Sequence, residues 1–265
     1  MKEQIIEVLL QIEQEYDVKV LYACESGSRA WGFPSKISDY DVRFLYVHRK
    51  EWYLSIDKGR DVLEVPSQDS ISIPVDPLLD MSGWEITKAL RLFRKSNPPF
   101  FEWLHASVVY YEKYSTVKRL LAFEPLVFSP VASLYHYVSM AKRNFRTYLL
   151  KEGVDHKKYF TVLRPILAGK WVVEFHTVPP TQFQVLVEAM VPDGELKGTI
   201  FHLIAKKKER NEHKLEPKID VLNEFAHNEI IQLEKMAKEI ESMQTDPTDG
   251  LNELFRELLD EAWNK

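Results

Sequence analysis

Residues 23–47 read ACESGSRAWGFPSKISDYDVRFLYV, and the fold follows from how this stretch is laid out. Its core is Gly27-Ser28, ten intervening residues, and Asp39-Tyr40-Asp41, which opens an alternating run of the kind that forms a strand. Successive strand side chains point to opposite faces, so Asp39 and Asp41 share one face and Tyr40 takes the other. Two carboxylates held together repel one another unless one takes up a proton, and a divalent cation such as Mg²⁺ or Mn²⁺ removes that conflict. Upstream, Val18 to Cys24 is an apolar run that predicts a strand, and Glu25-Ser26-Gly27-Ser28 turns the chain after it. Backbone N–H groups and a hydroxyl in such a turn suit a phosphate.

Gly27-Ser28 followed by Asp39-x-Asp41 resembles the signature of the DNA polymerase beta nucleotidyltransferase superfamily. The longer string from Glu25 to Val47, with Asp80-x-x-Gly83-Trp84 and Lys95-Ser96-Asn97-Pro98 downstream, is similar more narrowly to the RNA repair pathway DNA polymerase beta family of bacteria and phages. The likeness covers roughly the first 110 residues well. Beyond them it rests on Tyr159-Phe160 with Leu163-Arg164-Pro165, and on Pro179-Pro180. The resemblance implies an α+β chain, with an N-terminal nucleotidyltransferase fold of mixed β-sheet flanked by helices and an all-α C-terminal domain.

It also implies a chemistry. A nucleoside monophosphate would pass from a nucleoside triphosphate to an acceptor hydroxyl, an RNA 3′ end in RNA repair, and pyrophosphate would leave. Asp39, Asp41 and a third carboxylate from a later strand would be the catalytic and metal-holding residues. Asp80 is chosen for the third, with Asp76 and Glu64 as alternatives. Gly27, Ser28, Arg29 and Arg43 would bind the nucleotide, Ser28 and adjacent N–H groups on the β- and γ-phosphates and Arg29 or Arg43 on charge growing in the transition state. Arg43 shares a strand face with Asp41, so a structural ion pair is an equal reading. Glu25 would repel a triphosphate unless it meets a metal or pairs with Arg29. Transfer to a protein or small-molecule hydroxyl, and a non-catalytic nucleotide- or RNA-binding module, are the rival functions.

A chain of 265 residues can bury a substantial core, and 45% hydrophobic with 28% charged residues is ordinary for a globular protein. No apolar run reaches the ~18 residues of a membrane span, and the acidic MKEQIIEVLLQIEQEYD is unlike a signal peptide. The single cysteine, Cys24, fits a reducing cytoplasm, and it reads as a buried small residue at a strand end. The net charge of −5 gives no whole-chain footprint of nucleic-acid binding, so any basic surface must be local. One cysteine and scattered histidines furnish no zinc pattern, and no protein partner is legible.

Ile5, Ile6, Leu9, Leu10 and Ile12 predict a packing helix over 2–15, and Val62–Val65 a further strand; residues 66–77 read as loop. Ser82 with Glu85 matches a capping box opening a helix that Asn97-Pro98-Pro99 stops. Lys88, Arg91 and Lys95 share a face of it, suited to solvent or to phosphates. Val108–Tyr111 predicts a last strand, which divides the chain into a catalytic domain over 1–115 and a helical domain over 116–265. Helices are expected from Ser129-Pro130 to Glu152 and from Asp155 to Thr177, and a third capped by Thr181. Rings and cations interleave on the first two, from Tyr135, His136 and Tyr137 through Lys142, Arg143, Arg146 and Tyr148 to Lys157, Lys158, Arg164 and Lys170. That pattern is more often core than a base platform. Lys206-Lys207-Lys208 reads as a solvated helix face, with RNA contact the lesser option.

Overall fold

The structure is a computed structural model, and it describes residues 1–35, 38–209, 215–240 and 246–264. In chain order the first part runs α1 (Lys2–Glu15), β1 (Val18–Glu25), α2 (Gly27–Ala30), β2 (Tyr40–His48), α3 (Lys50–Tyr53), β3 (Val62–Val65), β4 (Leu79–Glu85), α4 (Ile86–Arg94), α5 (Pro98–Leu104) and β5 (Val109–Glu112). It continues through α6 (Thr116–Val127), α7 (Pro130–Asn144), a π-helical turn (Phe145–Leu149), β6 (Val154–Asp155), α8 (Lys157–Phe175), α9 (Phe183–Met190), α10 (Glu195–Glu209), β7 (Leu215–Glu216), α11 (Asp220–Met236) and α12 (Thr248–Trp263). The fold is α+β, as the sequence predicts: a mixed five-stranded sheet flanked by helices, then a helical C-terminal part.

The sheet has the order β3-β4-β2-β1-β5, with β2 and β4 parallel and the other neighbours antiparallel. Period-two alternation sorts β2 cleanly. Val42, Phe44 and Tyr46 bury with Ile5, Val8, Leu9 and Ile12 of α1, while Leu45 and Val47 bury with α4, α5, α6 and α12 on the opposite face. Asp41 and Arg43 continue the Leu45–Val47 side by the same alternation. Parallel register sets Asp80, Ser82 and Trp84 of β4 beside Asp41, Arg43 and Leu45. A third apolar cluster joins α7 to α11, and Phe33 from the loop after α2 is fully buried in it. Cys24 is buried in β1, and burial pushes its thiol up to about 12. Among the described residues, no helix is long and apolar enough to cross a membrane.

Three expected helix starts and ends move. The helix expected from Ser82 begins at Ile86. Ser82, Gly83 and Trp84 stay in β4 because they pair with β2 on one side and β3 on the other, and Gly83 lies flat on Phe44, whose ring a Cβ would meet at 2.2 Å. Glu85 caps the helix instead, accepting from the N–H groups of Thr87 and Lys88. The helix expected to reach Glu152 stops at Asn144 and widens into the π-helical turn, where Thr147 Oγ1 donates back to the Arg143 carbonyl at 2.8 Å. Thr181 does not cap α9. Gln182 holds that position, and the N–H of Phe183 is taken by the carbonyl of Trp31 at 3.0 Å.

Candidate active site

β2 and β4 bring Asp41 and Asp80 side by side across the parallel register. Arg43 Nη2 donates to Asp41 Oδ1 at 3.3 Å and to Asp80 Oδ2 at 3.0 Å, while its Nη1 donates to the carbonyls of Val42 and Asp80. Asp80 is the more open of the pair, and Asp41 is half-buried. Burial pushes the Asp41 carboxyl above its ordinary range; Arg43 pulls it down, and Asp80 and Asp39 push it further up. Asp39 precedes β2 and is exposed. Among the described residues, no three His, Cys, Asp or Glu groups form a ready metal cage.

The backbone of Asp41 is fixed at both ends. Its N–H donates to Glu25 Oε1 at 2.9 Å, and its carbonyl accepts from the N–H of Ser26 at 2.8 Å. Glu25 is buried, and its other oxygen accepts from the Tyr110 hydroxyl. Burial raises the Glu25 carboxyl, and these two donors lower it. Glu25 thus anchors the strand that carries Asp41, and the Arg29 guanidinium also helps to lower its carboxyl. Gly27, at φ +60°, lies so close beneath Asp41 that a Cβ would meet Oδ2 at 2.0 Å.

α2 is a single turn, with Ser26 extended at its start and half-buried Ser28 within it. Arg29 reaches across to the loop before β2, donating from Nε to the Asp39 carbonyl at 3.0 Å and from Nη2 to the Ser38 carbonyl at 2.7 Å. Its guanidinium lies 3.6 Å from the centre of the Tyr40 ring, a stacked cation–π contact. Arg29 thus sets the position of the Asp39 backbone.

The end of this turn is held by the helical part. The N–H of Phe33 donates to the Ser28 carbonyl at 3.3 Å, and its ring packs on Phe160 and Phe183 with centroids 4.6 and 5.5 Å away. Trp31 covers the buried Arg164, whose Nη1 donates to Glu102 Oε1 at 2.8 Å, an oxygen that also accepts from Tyr137. Lys207 of α10 arrives over Phe33, donating to its carbonyl at 3.2 Å with the ammonium 4.6 Å from the ring centre.

Residues 1–257 match the RNA repair pathway DNA polymerase beta family. The chain belongs to that family. It is 49% identical over 263 residues to a Bacillus subtilis (strain 168) protein named uncharacterized protein YcgL, covering 99% of this chain and 98% of that one. It also aligns with the crystal structure of a nucleotidyltransferase-like protein from Exiguobacterium sibiricum 255-15, at 13% identity and a TM-score of 0.32, covering 90% of this chain and 75% of that chain. So loose a superposition supports no inference about the site.

Within this family member, the residues expected from sequence fall into two groups. Gly27, Asp41, Arg43 and Asp80 are gathered at one end of β2 and β4, with Ser28, Arg29 and Asp39 on the loops around them. Of the alternatives to Asp80, Asp76 accepts from the N–H of Leu78 in a turn, and Glu64 lies on β3, one strand further out. Lys88, Arg91 and Lys95 are elsewhere. α4 starts at the far end of β4, roughly 16 Å along the strand from Asp80 at about 3.3 Å per residue. There Lys88 and Arg91 both pair with Asp61, at 3.0 and 3.2 Å, and Lys95 is exposed. The sequence reading missed the contacts of Trp31, Phe33 and Lys207, which join positions more than a hundred residues apart and leave no local pattern.

Proposed function

We propose that the protein transfers a nucleoside monophosphate from a nucleoside triphosphate to an RNA 3′ hydroxyl. The attacking oxygen forms a bond to the α-phosphorus, the bond from that phosphorus to the bridging oxygen breaks, pyrophosphate departs with the electron pair, and the hydroxyl proton is released. The observation that carries this reading is Asp41 facing Asp80 beside the Gly27–Ser28 turn.

A divalent cation suits the donor set in kind, because Asp41 and Asp80 are hard oxygen ligands, and burial first, with Asp80 and Asp39 adding to it, raises the Asp41 carboxyl against the pull of Arg43. Asp41 and Asp80, with Asp39 from the adjoining loop, would hold Mg²⁺ or Mn²⁺. When bound, the cation neutralises phosphate charge and makes the acceptor hydroxyl a better nucleophile. The remaining work belongs to the chain. Glu25 and Ser26 fix the backbone of Asp41, so little reorganisation is needed at the reacting centre. Gly27 leaves space for the carboxylate and lets the chain turn, and Ser28 with neighbouring N–H groups takes the phosphate tail. Arg43 holds the carboxylates together and competes with an arriving cation for the same oxygens.

The test is incubation of purified protein with Mg²⁺ or Mn²⁺, each labelled nucleoside triphosphate and a mixed RNA pool. Labelled RNA is the expected product, and Asp41→Asn should lower its rate by at least a hundredfold while the thermal melt is retained. Label on the protein itself, or bound nucleotide without pyrophosphate release, would replace RNA transfer with self-modification or with binding alone. Undiminished transfer by Asp41→Asn would remove this site.

A further inference from the structure

Lys206, Lys207 and Lys208 are consecutive on α10, yet their settings differ. Lys206 is exposed and pairs with Glu216, and Lys208 is exposed. Lys207 is half-buried, and among the described residues it has no carboxylate partner; its contacts are the carbonyl and ring of Phe33. A carbonyl and a ring face are modest compensation for a desolvated ammonium. Burial and Lys157 push its pKa down to about 8, and Asp41 is near enough to pull it partly back. The ammonium therefore sits in the field of the Asp41 carboxylate while, among the described residues, no carboxylate is paired with it. The Phe33 carbonyl it touches belongs to the residue whose N–H closes the turn onto Ser28. A phosphate oxygen is a stronger acceptor than the neutral carbonyl that Lys207 uses here.

We infer that Lys207, reaching from the helical part over Phe33, contacts the polyphosphate of a nucleotide seated on the Gly27–Ser28 turn. The inference rests on the function proposed above and adds a residue to it. Occupancy of the turn then draws Lys207 from the Phe33 carbonyl onto phosphate, so that one side chain links α10 to the catalytic end of the sheet.

The experiment measures binding of Mg²⁺-tripolyphosphate, which carries no base, and of Mg²⁺-ATP by calorimetry on the full chain, with thermal melts confirming that each variant is folded. Lys207→Ala should weaken both ligands by about tenfold or more, as loss of a charged hydrogen bond predicts. Lys207→Arg should recover most of that loss, and Lys208→Ala should bind as the wild type does. Mass-spectrometric footprinting with an amine-acylating reagent gives a second readout: tripolyphosphate should protect Lys207 and leave Lys208 reactive. Unchanged binding by Lys207→Ala together with unprotected Lys207 would overturn this contact while leaving the proposed transfer intact. Absence of binding of either ligand by the wild type would overturn both.

Discussion

Gly27 shows how much the site asks of one position. Its φ of +60° costs a residue with a side chain about 1–2 kcal/mol, and a Cβ there would meet Asp41 Oδ2 at 2.0 Å. Gly27→Ala is expected to displace the carboxylate and to lower transfer about a hundredfold, the scale of a misplacement near 1 Å. The melting temperature should fall by only a few degrees. A rate assay beside a thermal melt checks this, and wild-type rates would show that the close approach of Gly27 to Asp41 has no role in transfer. Gly-Ser followed by Asp-x-Asp makes this part of the site legible in sequence, because the requirement is local. The role of Glu25 is less so. The residue is visible but its partners are not, since Tyr110 joins it from β5 across 85 positions. Arg29 likewise serves as a strut, on carbonyls that no side-chain pattern records.

The elements argue in the same way. Period-two alternation in β2 and helical spacing in α1 are dictated by which face is buried, so both can be read from the chain. The start of α4 cannot, because Ser82-x-x-Glu85 satisfies a capping pattern while the backbone of Ser82 to Trp84 is claimed by two neighbouring strands. Tertiary pairing outweighs a cap worth about 1 kcal/mol. α12 has even less local signal. Leu251, Leu254, Leu258 and Leu259 bury in the same cluster as Leu45 and Val47, more than 200 residues earlier. The division into folding units at 115 and 116 stays a proposal, and α12 tells which way to test it. Four buried leucines at about 1.5–3 kcal/mol each approach the whole stability of a typical domain. A chain ending at residue 240 should therefore lose its cooperative melt by circular dichroism. An unchanged melting temperature would mean that α12 is dispensable to the sheet.

Across the whole molecule, the helical part does more than follow the part that holds the five-stranded sheet. It buries Phe33, receives Trp31 over Arg164, and sets Lys207 beside the turn, so the loop after Ser28 is shaped by residues that the first hundred positions do not contain. That is why the carboxylate end of the site was readable and its rim was not. The net charge of −5 is compatible with an anionic substrate only if positive potential is concentrated locally. Arg29, Arg43 and Lys207 are the basic side chains near the turn, but Arg43 is paired with Asp41 and Asp80, so a bound cation would have to add positive charge there. The claim on which the rest depends is that Asp41 and Asp80 form a cation site that Arg43 holds ready. Titration of the full chain with Mn²⁺, followed by electron paramagnetic resonance with Mg²⁺ as competitor, tests it most directly. The wild type should bind Mn²⁺ that Mg²⁺ displaces, and folded Asp41→Asn and Asp80→Asn should each lose that binding. Retention of wild-type Mn²⁺ affinity in both variants, or no binding by the wild type even with a nucleoside triphosphate present, would contradict it.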